Sequence, residues 1–416
     1  MCIRDRKNIL YCLVAIFIFN SSFSQGLKLS TKEELMSIEQ FKLDDYGFAT
    51  NLPSSYSLEK YIPRILNQKK TMSCVGYSAV YYGLSAMYNK TFEITDRQEK
   101  FAYSFDPMFI YSLLREDNYC SEGVIMKDAF ELLTRQGAKK LFMPPEYVAC
   151  DATWSTSSLS QMKNFTNPFR IKNYRSIDAV STYFVDEVKT ILNKDEPVII
   201  AITLTDSFDE ISSNGLWTPS RDEDSNGGHA MCVIGYDDNQ FGGAFKIANS
   251  WGSDFGDNGY IWVTYSDFYY YVPEAYQMDI ADNIDLNNNV QIREDNFIKI
   301  TFDNNSSYEG ELTNGYYTGN AIEYDGDGAY FIGKFNKGLR NGSFIMIYND
   351  DIFFPKYDLN GEYIEMEDYG FAGQEDELTV KKETFLNIID PKMSIKKSKS
   401  HKSNKTTTIP RGYKDN

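Results

Sequence analysis

One cysteine, one histidine and two amide side chains stand in an order that suits nucleophilic catalysis. The chain has only two histidines, and because His401 lies in a tail rich in Lys and Ser, any imidazole chemistry depends on His229. Cys74 begins a segment with helical periodicity, where unpaired backbone N–H groups favour the thiolate. Asn249 can orient the imidazole, and Gln68 can donate to an oxyanion. The four residues together predict a thiolate–imidazolium pair that attacks a carbonyl group.

The segments around these residues predict helices in the first part of the chain and strands in the second. Three segments have a helical pattern, the first with Ser73 as its N-cap: Val75 to Met87, Ile125 to Gly137 and Asp186 to Asn193. Four apolar runs predict strands, namely Pro197 to Leu204, Ala230 to Tyr236, Ala244 to Asn249 and Tyr260 to Tyr265. This order indicates an α+β fold with a cleft between a helical half and a sheet half.

Residues 52 to about 280 resemble the papain-like cysteine peptidases, because four motifs occur in the order of that family. The motifs are Leu52-Pro53 with Asn67-Gln68, Ser73-Cys74, Gly228-His229-Ala230, and Asn249-Ser250-Trp251-Gly252 with Gly259-Tyr260. The resemblance implies a two-lobed α+β catalytic domain, predicted over residues 51–282, that hydrolyses peptide bonds through an acyl-enzyme intermediate. It implies a polypeptide substrate and no cofactor.

The resemblance also implies a role for each site residue. The catalytic residues are Cys74 as nucleophile, His229 as base, Asn249 as the residue that orients His229, and Gln68 as oxyanion donor. Trp251 is expected to shield the bond between Asn249 and His229 from water. The stretch from Cys120 to Gly123 resembles a substrate-binding segment of the family, so substrate contacts are expected at Gly123, Glu122, Gly228 and Trp251.

The sequence departs from the family pattern at several positions. Val75 and Phe255 replace tryptophans, Glu122 replaces the first glycine of a pair, and Thr71 stands where the family commonly has a cysteine. The usual disulfide bond of the family is therefore not available. Cys120 and Cys150 both lie in polar, loop-like stretches, and an exported protein can form disulfides, so a bond between these two is the first expectation.

The N-terminus has the pattern of a secretory signal peptide over residues 1–24. Basic residues precede an apolar run, Ile9 to Phe19, and Ser22-Phe23-Ser24 offers small residues at a cleavage site. The apolar run is too short for a transmembrane anchor, so no membrane span is expected once the signal is removed. Residues 25–50 are polar and predict a short pro-segment or a linker. A secreted, periplasmic or extracellular location follows from this interpretation.

A second pattern follows a linker predicted at residues 283–299. Over residues 300–375, glycines and aromatics recur: Tyr308, Gly310, Gly319 and Tyr324 are followed at a similar spacing by Tyr330, Gly333, Gly342 and Tyr348. This resembles the membrane occupation and recognition nexus (MORN) repeat, which implies a small all-β module of stacked hairpins that binds an unknown protein or surface partner. The alternative is an unrelated β-sandwich. Residues 376–416 are predicted to be a basic, disordered tail.

Composition excludes some functions and leaves one alternative open. The net charge of −17 repels nucleic acid phosphates, so no nucleic acid partner is expected. One histidine outside the tail and no Cys-x-x-Cys pair predict no ordinary zinc site. The alternative to an enzyme is a catalytically silent papain-like scaffold that acts as a surface or interaction protein through its C-terminal repeats.

Overall fold

The computed structural model describes residues 26–43, 52–116, 120–135, 137–141, 170–280, 297–301, 305–313, 316–349 and 351–366. The predicted signal peptide, most of the predicted linker and the predicted tail lie outside these residues. Within them, no helix is long and apolar enough to cross a membrane. The described residues form a helical half, a first sheet and a second, C-terminal sheet.

The helical half is built around the segment that starts at Cys74. Its helices are α2 (Gly76–Leu84, π-helical), α3 (Ser85–Thr91), α4 (Arg97–Ala102), α5 (Pro107–Leu114) and α6 (Met126–Arg135), whereas α1 (Lys32–Met36) belongs to the N-terminal segment. α2 and α3 are continuous and wholly buried up to Asn89. Gly83 lets α2 approach the sheet, because a Cβ there would lie 2.8 Å from Ile199 Cδ1. The helix predicted after Cys74 is therefore confirmed.

The first sheet carries the other half of the predicted cleft. It comprises β2 (Ser55–Ser57), β4 (Ile171–Ile177), β5 (Val198–Thr205), β6 (Leu216–Trp217), β7 (Ser225–Asp237), β8 (Ala244–Ala248), β9 (Tyr260–Thr264) and β10 (Glu274–Ile280). The strand order is β4-β10-β5-β7-β8-β9-β6, and β2 pairs with β7. Helices α7 (Phe184–Leu192) and α8 (Tyr265–Tyr271) pack against it. The four predicted strands correspond to β5, β7, β8 and β9.

Residues 26–43 form an N-terminal segment that folds onto the helical half and the first sheet. β1 (Leu27–Lys28) pairs in parallel with β3 (Val124–Ile125), which lies between α5 and α6. Further along, Gln40 forms a parallel bridge with Ser176 of β4, and Glu39 pairs with Arg175 at 2.9 Å. This segment therefore contacts both the helical half and the first sheet.

The C-terminal sheet is an antiparallel array of eight strands. They are β11 (Phe297–Thr301), β12 (Ser307–Thr313), β13 (Tyr316–Tyr324), β14 (Tyr330–Asn336), β15 (Leu339–Tyr348), β16 (Asp351–Phe353), β17 (Pro355–Tyr357) and β18 (Tyr363–Met366). β11 to β15 follow one another as hairpins. Aromatic rings link successive hairpins, with centroid distances of 5.4 Å from Tyr308 to Phe335 and 5.4 Å from Phe335 to Phe344.

This sheet contacts the helical half at the end of α3 that lies away from Cys74. The hydroxyl of Tyr88 donates to Glu309 Oε1 at 3.4 Å, and both residues are buried. α4 also packs against β14 and β15. The contacts place the second sheet on the far side of the helical half and not over Cys74.

Candidate active site

Cys74 lies at the start of the buried helix and is fully buried. Its thiol interacts with the backbone N–H groups of Ala230 and Val75. Because Ala230 follows His229 on β7, this contact brings the helix start to the strand that carries the base. Ser73 does not cap the helix as predicted: its hydroxyl shares a hydrogen bond of 2.6 Å with Thr71 Oγ1.

Burial opposes the expected effect of the helix start on the Cys74 thiol. Burial raises the pKa of Cys74 to about 12, and hydrogen bonding from Ala230 and Val75 lowers it only in part. The backbone donors at the helix start thus lower the pKa of Cys74, as expected, but desolvation of the charged form outweighs them.

His229 and Asn249 are in direct contact, as the predicted orienting role requires. His229 Nε2 lies 2.8 Å from Asn249 Oδ1, and both residues are fully buried. Asn249 directly follows β8. Its carbonyl oxygen accepts a hydrogen bond of 3.0 Å from the hydroxyl of Tyr82 in α2. Its position is therefore fixed by both halves of the domain.

Aromatic side chains surround the imidazole. The Trp251 ring lies with its centroid 5.4 Å from that of His229, a position that suits the predicted shielding role. Phe255, which stands where the family has a tryptophan, contacts Trp251 at 4.8 Å. The ring centroid of Phe208 lies 5.0 Å from that of Trp251 and 6.5 Å from that of His229. Sequence reasoning did not identify Phe208, since an isolated Phe after a strand carries no signal of this role.

Gln68 is held beside the loop that carries Asn249. Its backbone N–H donates to the Ser250 carbonyl at 2.8 Å, and the Ser250 hydroxyl donates to Gln68 Oε1 at 2.5 Å. The side-chain Nε2 donates to the Thr71 carbonyl at 2.8 Å. Hydrogen bonds at both Oε1 and Nε2 thus fix the orientation of the Gln68 side-chain amide. No sequence signal indicated that Ser250 orients Gln68.

The predicted substrate-binding glycines are covered by the chain's own N-terminal segment. The backbone of Val124 donates to the Gly26 carbonyl at 3.2 Å, and a Cβ on Gly123 would lie 2.3 Å from the Gly26 carbonyl carbon. Leu27 is buried and packs against Gly228. A Cβ added to Gly228 would lie 3.2 Å from Cδ2 of Leu27. An incoming peptide that used Gly123 and Gly228 would have to displace this segment.

Glu122 and Cys120 lie beside the same segment. Glu122 pairs with Lys28 of β1 at 2.9 Å, with both side chains partly exposed. Cys120 is disulfide-bonded and buried, and Arg115 Nη1 lies 2.9 Å from its sulfur. Cys150, the predicted partner, lies outside the described residues, so the pairing stays a prediction. Over the part of the chain that the structure describes, no cluster of three or more His, Cys, Asp or Glu side chains could hold a metal ion.

Comparisons with known proteins identify a family for this chain. The family model of the papain family cysteine protease matches residues 52–276. Vignain from Vigna mungo is 27% identical over 150 residues, which are 35% of this chain and 38% of vignain. An uncharacterized peptidase C1-like protein of Acanthamoeba polyphaga mimivirus is 31% identical over 84 residues, 20% of this chain and 26% of that protein. The chain thus spans well under half the length of these curated relatives.

Solved structures with a similar fold include xylellain, a cysteine protease from Xylella fastidiosa. It is 18% identical, with a TM-score of 0.49 over 62% of this chain and 97% of xylellain. Procathepsin B from Trypanosoma congolense is 13% identical, with a TM-score of 0.47 over 63% of this chain and 89% of its own.

The described residues thus bring together a cysteine at a helix start, a strand that carries a histidine, and an asparagine in contact with that histidine. Because the family match extends over more than half of the chain, this protein belongs to the papain family of cysteine proteases.

Proposed function

We propose that this protein is a cysteine peptidase that hydrolyses peptide bonds through Cys74 and His229. In this proposal, the Cys74 thiolate attacks the carbonyl carbon, and Gln68 donates to the oxyanion that forms. His229 then gives its proton to the leaving amine, which leaves a thioester on Cys74. Water, activated by His229, hydrolyses the thioester and regenerates the thiol.

The contact between His229 Nε2 and Asn249 Oδ1 at 2.8 Å carries this proposal. It fixes the orientation of the ring, and the thiol of Cys74 contacts the backbone of the neighbouring Ala230. A ring held in one orientation is what proton transfer by a general base requires.

The same proposal includes a latent state. The segment from Gly26 to Leu43 is the short pro-segment, and it keeps the site covered until it is displaced or removed. Two observations support this role: Leu27 is buried on Gly228, and Cys74 has no exposed surface while the segment is in place. Exposure of the thiol to water and to a substrate would remove the desolvation that keeps it protonated.

Export and a binding role for the C-terminal sheet complete the proposed function. Residues 1–24 would direct the chain to a secreted, periplasmic or extracellular location. The C-terminal sheet would be a MORN-like repeat module that holds a protein or surface partner. The ring contacts from Tyr308 through Phe335 to Phe344 support stacked hairpins of this kind.

Hydrolysis of a fluorogenic peptide library by the full chain tests the peptidase proposal. Cys74→Ala and His229→Ala are expected to lower turnover by several orders of magnitude and to leave the thermal unfolding transition in place. A biotinylated electrophilic peptide should label Cys74 in the wild-type chain only. Peptide cleavage by Cys74→Ala at the wild-type rate would exclude this mechanism.

A further inference from the structure

The helix that follows Cys74 has π-helical geometry over Gly76–Leu84, and all of these residues are buried. In a π-helix each backbone N–H donates to the carbonyl five residues earlier, and such segments are rare and often lie at functional sites. Tyr82 lies near the end of this helix and carries a hydroxyl into the buried interior. The proposed reaction gives this side chain no role, so its contacts need an explanation.

The hydroxyl of Tyr82 joins two segments of the candidate site. It donates to the Asn249 carbonyl at 3.0 Å and accepts from the backbone N–H of Leu66 at 3.2 Å. A phenol hydroxyl has one donor and also accepts, so both kinds of hydrogen bond are made here. Asn249 contacts His229, and Leu66 lies two residues before Gln68. One hydroxyl is therefore bound both to the segment that carries the oxyanion donor and to the residue that orients the base.

The same two segments also meet through their backbones, in a short antiparallel ladder. Its contacts are a bridge between Asn67 and Trp251, a hydrogen bond from the Gly252 N–H to the Leu66 carbonyl at 3.2 Å, and one from the Gln68 N–H to the Ser250 carbonyl at 2.8 Å. The Tyr82 hydroxyl adds a further point of attachment, which comes from the helix that follows Cys74. The nucleophile, the oxyanion donor and the orienting amide are thus tied together at this hydroxyl.

Loss of the hydroxyl would leave two buried backbone groups without this partner. Leu66 and Asn249 are both buried, and a buried polar group that loses its partner costs more than the hydrogen bond itself contributed. The Leu66 N–H and the Asn249 carbonyl would have to move to find other partners. Either movement would shift Gln68 or the amide that contacts His229. A misplacement of about 1 Å in a catalytic site can lower the rate by about 10²-fold.

We propose that Tyr82 is a positioning residue that holds Gln68 and Asn249 in a fixed relation to each other and to the helix that follows Cys74. This inference rests on the proposed peptidase function, because it explains how the geometry of the same site is maintained. Tyr82 acts through Asn249 and Gln68, and it takes no part itself in proton transfer or bond formation.

Tyr82→Phe tests this role in the full chain, because it removes the hydroxyl and keeps the ring. We expect kcat for peptide hydrolysis to fall at least about fivefold and KM to stay within about twofold, since the reacting groups shift while the proposed substrate contacts remain. If Tyr82 acts through Asn249, the fall in kcat for Tyr82→Phe combined with Asn249→Ala should be smaller than the product of the two single effects.

Tyr236→Phe is the matched control for loss of a bridging hydroxyl. Tyr236 is buried on β7, the strand that carries His229, and its hydroxyl donates to the Pro53 carbonyl at 2.9 Å and accepts from Asn193 Nδ2 at 2.7 Å. This variant should lose a similar amount of thermal stability and keep kcat near that of wild type. Circular dichroism gives the melting temperatures, and the kinetics are measured well below them.

Nuclear magnetic resonance of the imidazole gives a readout that does not depend on hydrolysis. Because the chain has only two histidines, a chain with isotope-labelled histidine has one labelled ring in the site, His229, and one at His401. Tyr82→Phe should shift the signal of the His229 ring nitrogen that contacts Asn249. Tyr236→Phe should leave that signal in place.

The outcomes separate the role of Tyr82 from the peptidase proposal. An unchanged kcat or an unchanged His229 signal in Tyr82→Phe, an equal fall in kcat in Tyr236→Phe, or fully multiplicative effects in the double variant would overturn the inference. If the wild-type chain hydrolyses no peptide while the His229 signal shifts in Tyr82→Phe alone, the proposed peptidase function is wrong and the positioning of His229 through Tyr82 stands.

Discussion

The imidazole of His229 and the side-chain amide of Asn249 form a buried pair, with Nε2 2.8 Å from Oδ1. Asn249 reaches this position because its carbonyl is held by Tyr82 and its backbone N–H donates to the Gly259 carbonyl at 3.1 Å. The pair fixes the orientation of the ring, which is the property that a general base needs most. The strength of this restraint can be measured by removing the amide.

Asn249→Ala should lower kcat by about 10- to 100-fold and change KM by less than about threefold. The ring would lose its orienting partner, whereas the residues proposed to contact substrate would remain in place. Steady-state kinetics on one peptide checks the split. Asn249→Gln, which keeps an amide on a longer side chain, serves as the comparison. A variant whose effect is confined to KM would argue against an orienting role.

Gln68→Ala should lower kcat by about 10²- to 10³-fold, the usual cost of one lost oxyanion donor. Ser250→Ala should have a smaller effect in the same direction, because it only frees the Gln68 amide that the Ser250 hydroxyl now holds at 2.5 Å. Both variants are compared with wild type at saturating peptide. An unchanged rate for Gln68→Ala would remove this residue from the site.

Loosening the N-terminal segment should make Cys74 reactive. Burial raises the pKa of Cys74 to about 12, so at pH 8 almost all of the covered thiol is protonated and alkylation by iodoacetamide is slow. Leu27→Asp puts a charge on the surface against Gly228 and should speed alkylation at pH 8 by at least about tenfold, with a lower apparent pKa. Peptide hydrolysis should rise in parallel.

Leu29→Asp is the matched control for that experiment, because Leu29 belongs to the same segment but is 48% exposed. It should leave the alkylation rate of Cys74 near that of wild type. Cys232, which is also fully buried, reports any general loosening of the fold. Equal alkylation of Cys74 in Leu27→Asp and in wild type would show that the segment does not control access to the thiol.

Glu187 should make the protein less stable as the pH rises. Burial, together with the negative charges of Asp178 and Asp186, raises the pKa of Glu187 to about 7. The unfolded chain releases this proton near pH 4.5, so stability falls as the pH rises from there to about 7. Glu187→Gln should therefore melt at a higher temperature than wild type at pH 8 and at a similar temperature at pH 4.

The exposed Glu210→Gln is the control for Glu187, and its melting temperature should follow wild type at both pH values. Thermal unfolding monitored by circular dichroism gives the comparison. The interpretation of Glu187 would be wrong if Glu187→Gln showed the same difference from wild type at pH 4 and at pH 8.

The sequence predicted the elements of the catalytic halves because their signals are local. Periodicity after Cys74 indicated the buried helix, and apolar runs indicated β5, β7, β8 and β9. The cover formed by Leu27 and Ser30 could not be predicted, since it depends on pairing with Val124 and on Glu274, which are distant in sequence. The raised pKa of Cys74 depends on burial by the folded chain, which the local sequence around the helix start does not indicate.

The position of the C-terminal sheet was also beyond the reach of the sequence. The linker predicted at residues 283–299 favours two units with few contacts between them. In the structure, the buried Tyr88 of α3 contacts Glu309 of β12, and α4 packs against β14 and β15. Such contacts depend on the surfaces that the helices and strands present once they are folded. No periodic pattern in the sequence indicates which of these surfaces meet.

A chain of residues 26–282 should therefore be less stable than the full chain while keeping an intact cleft. Loss of the C-terminal sheet would expose the buried side of α3 and α4 to solvent. This side includes Tyr88 and lies at the end of α3 away from Cys74. Thermal unfolding should show a lower melting temperature, and small peptides should be cleaved at a near-normal rate at low temperature. In the full chain, Tyr88→Phe removes only the hydroxyl bound to Glu309 and should cost about 1 kcal/mol. Loss of small-peptide cleavage in a truncated chain that remains folded would show that the C-terminal sheet supports the cleft itself.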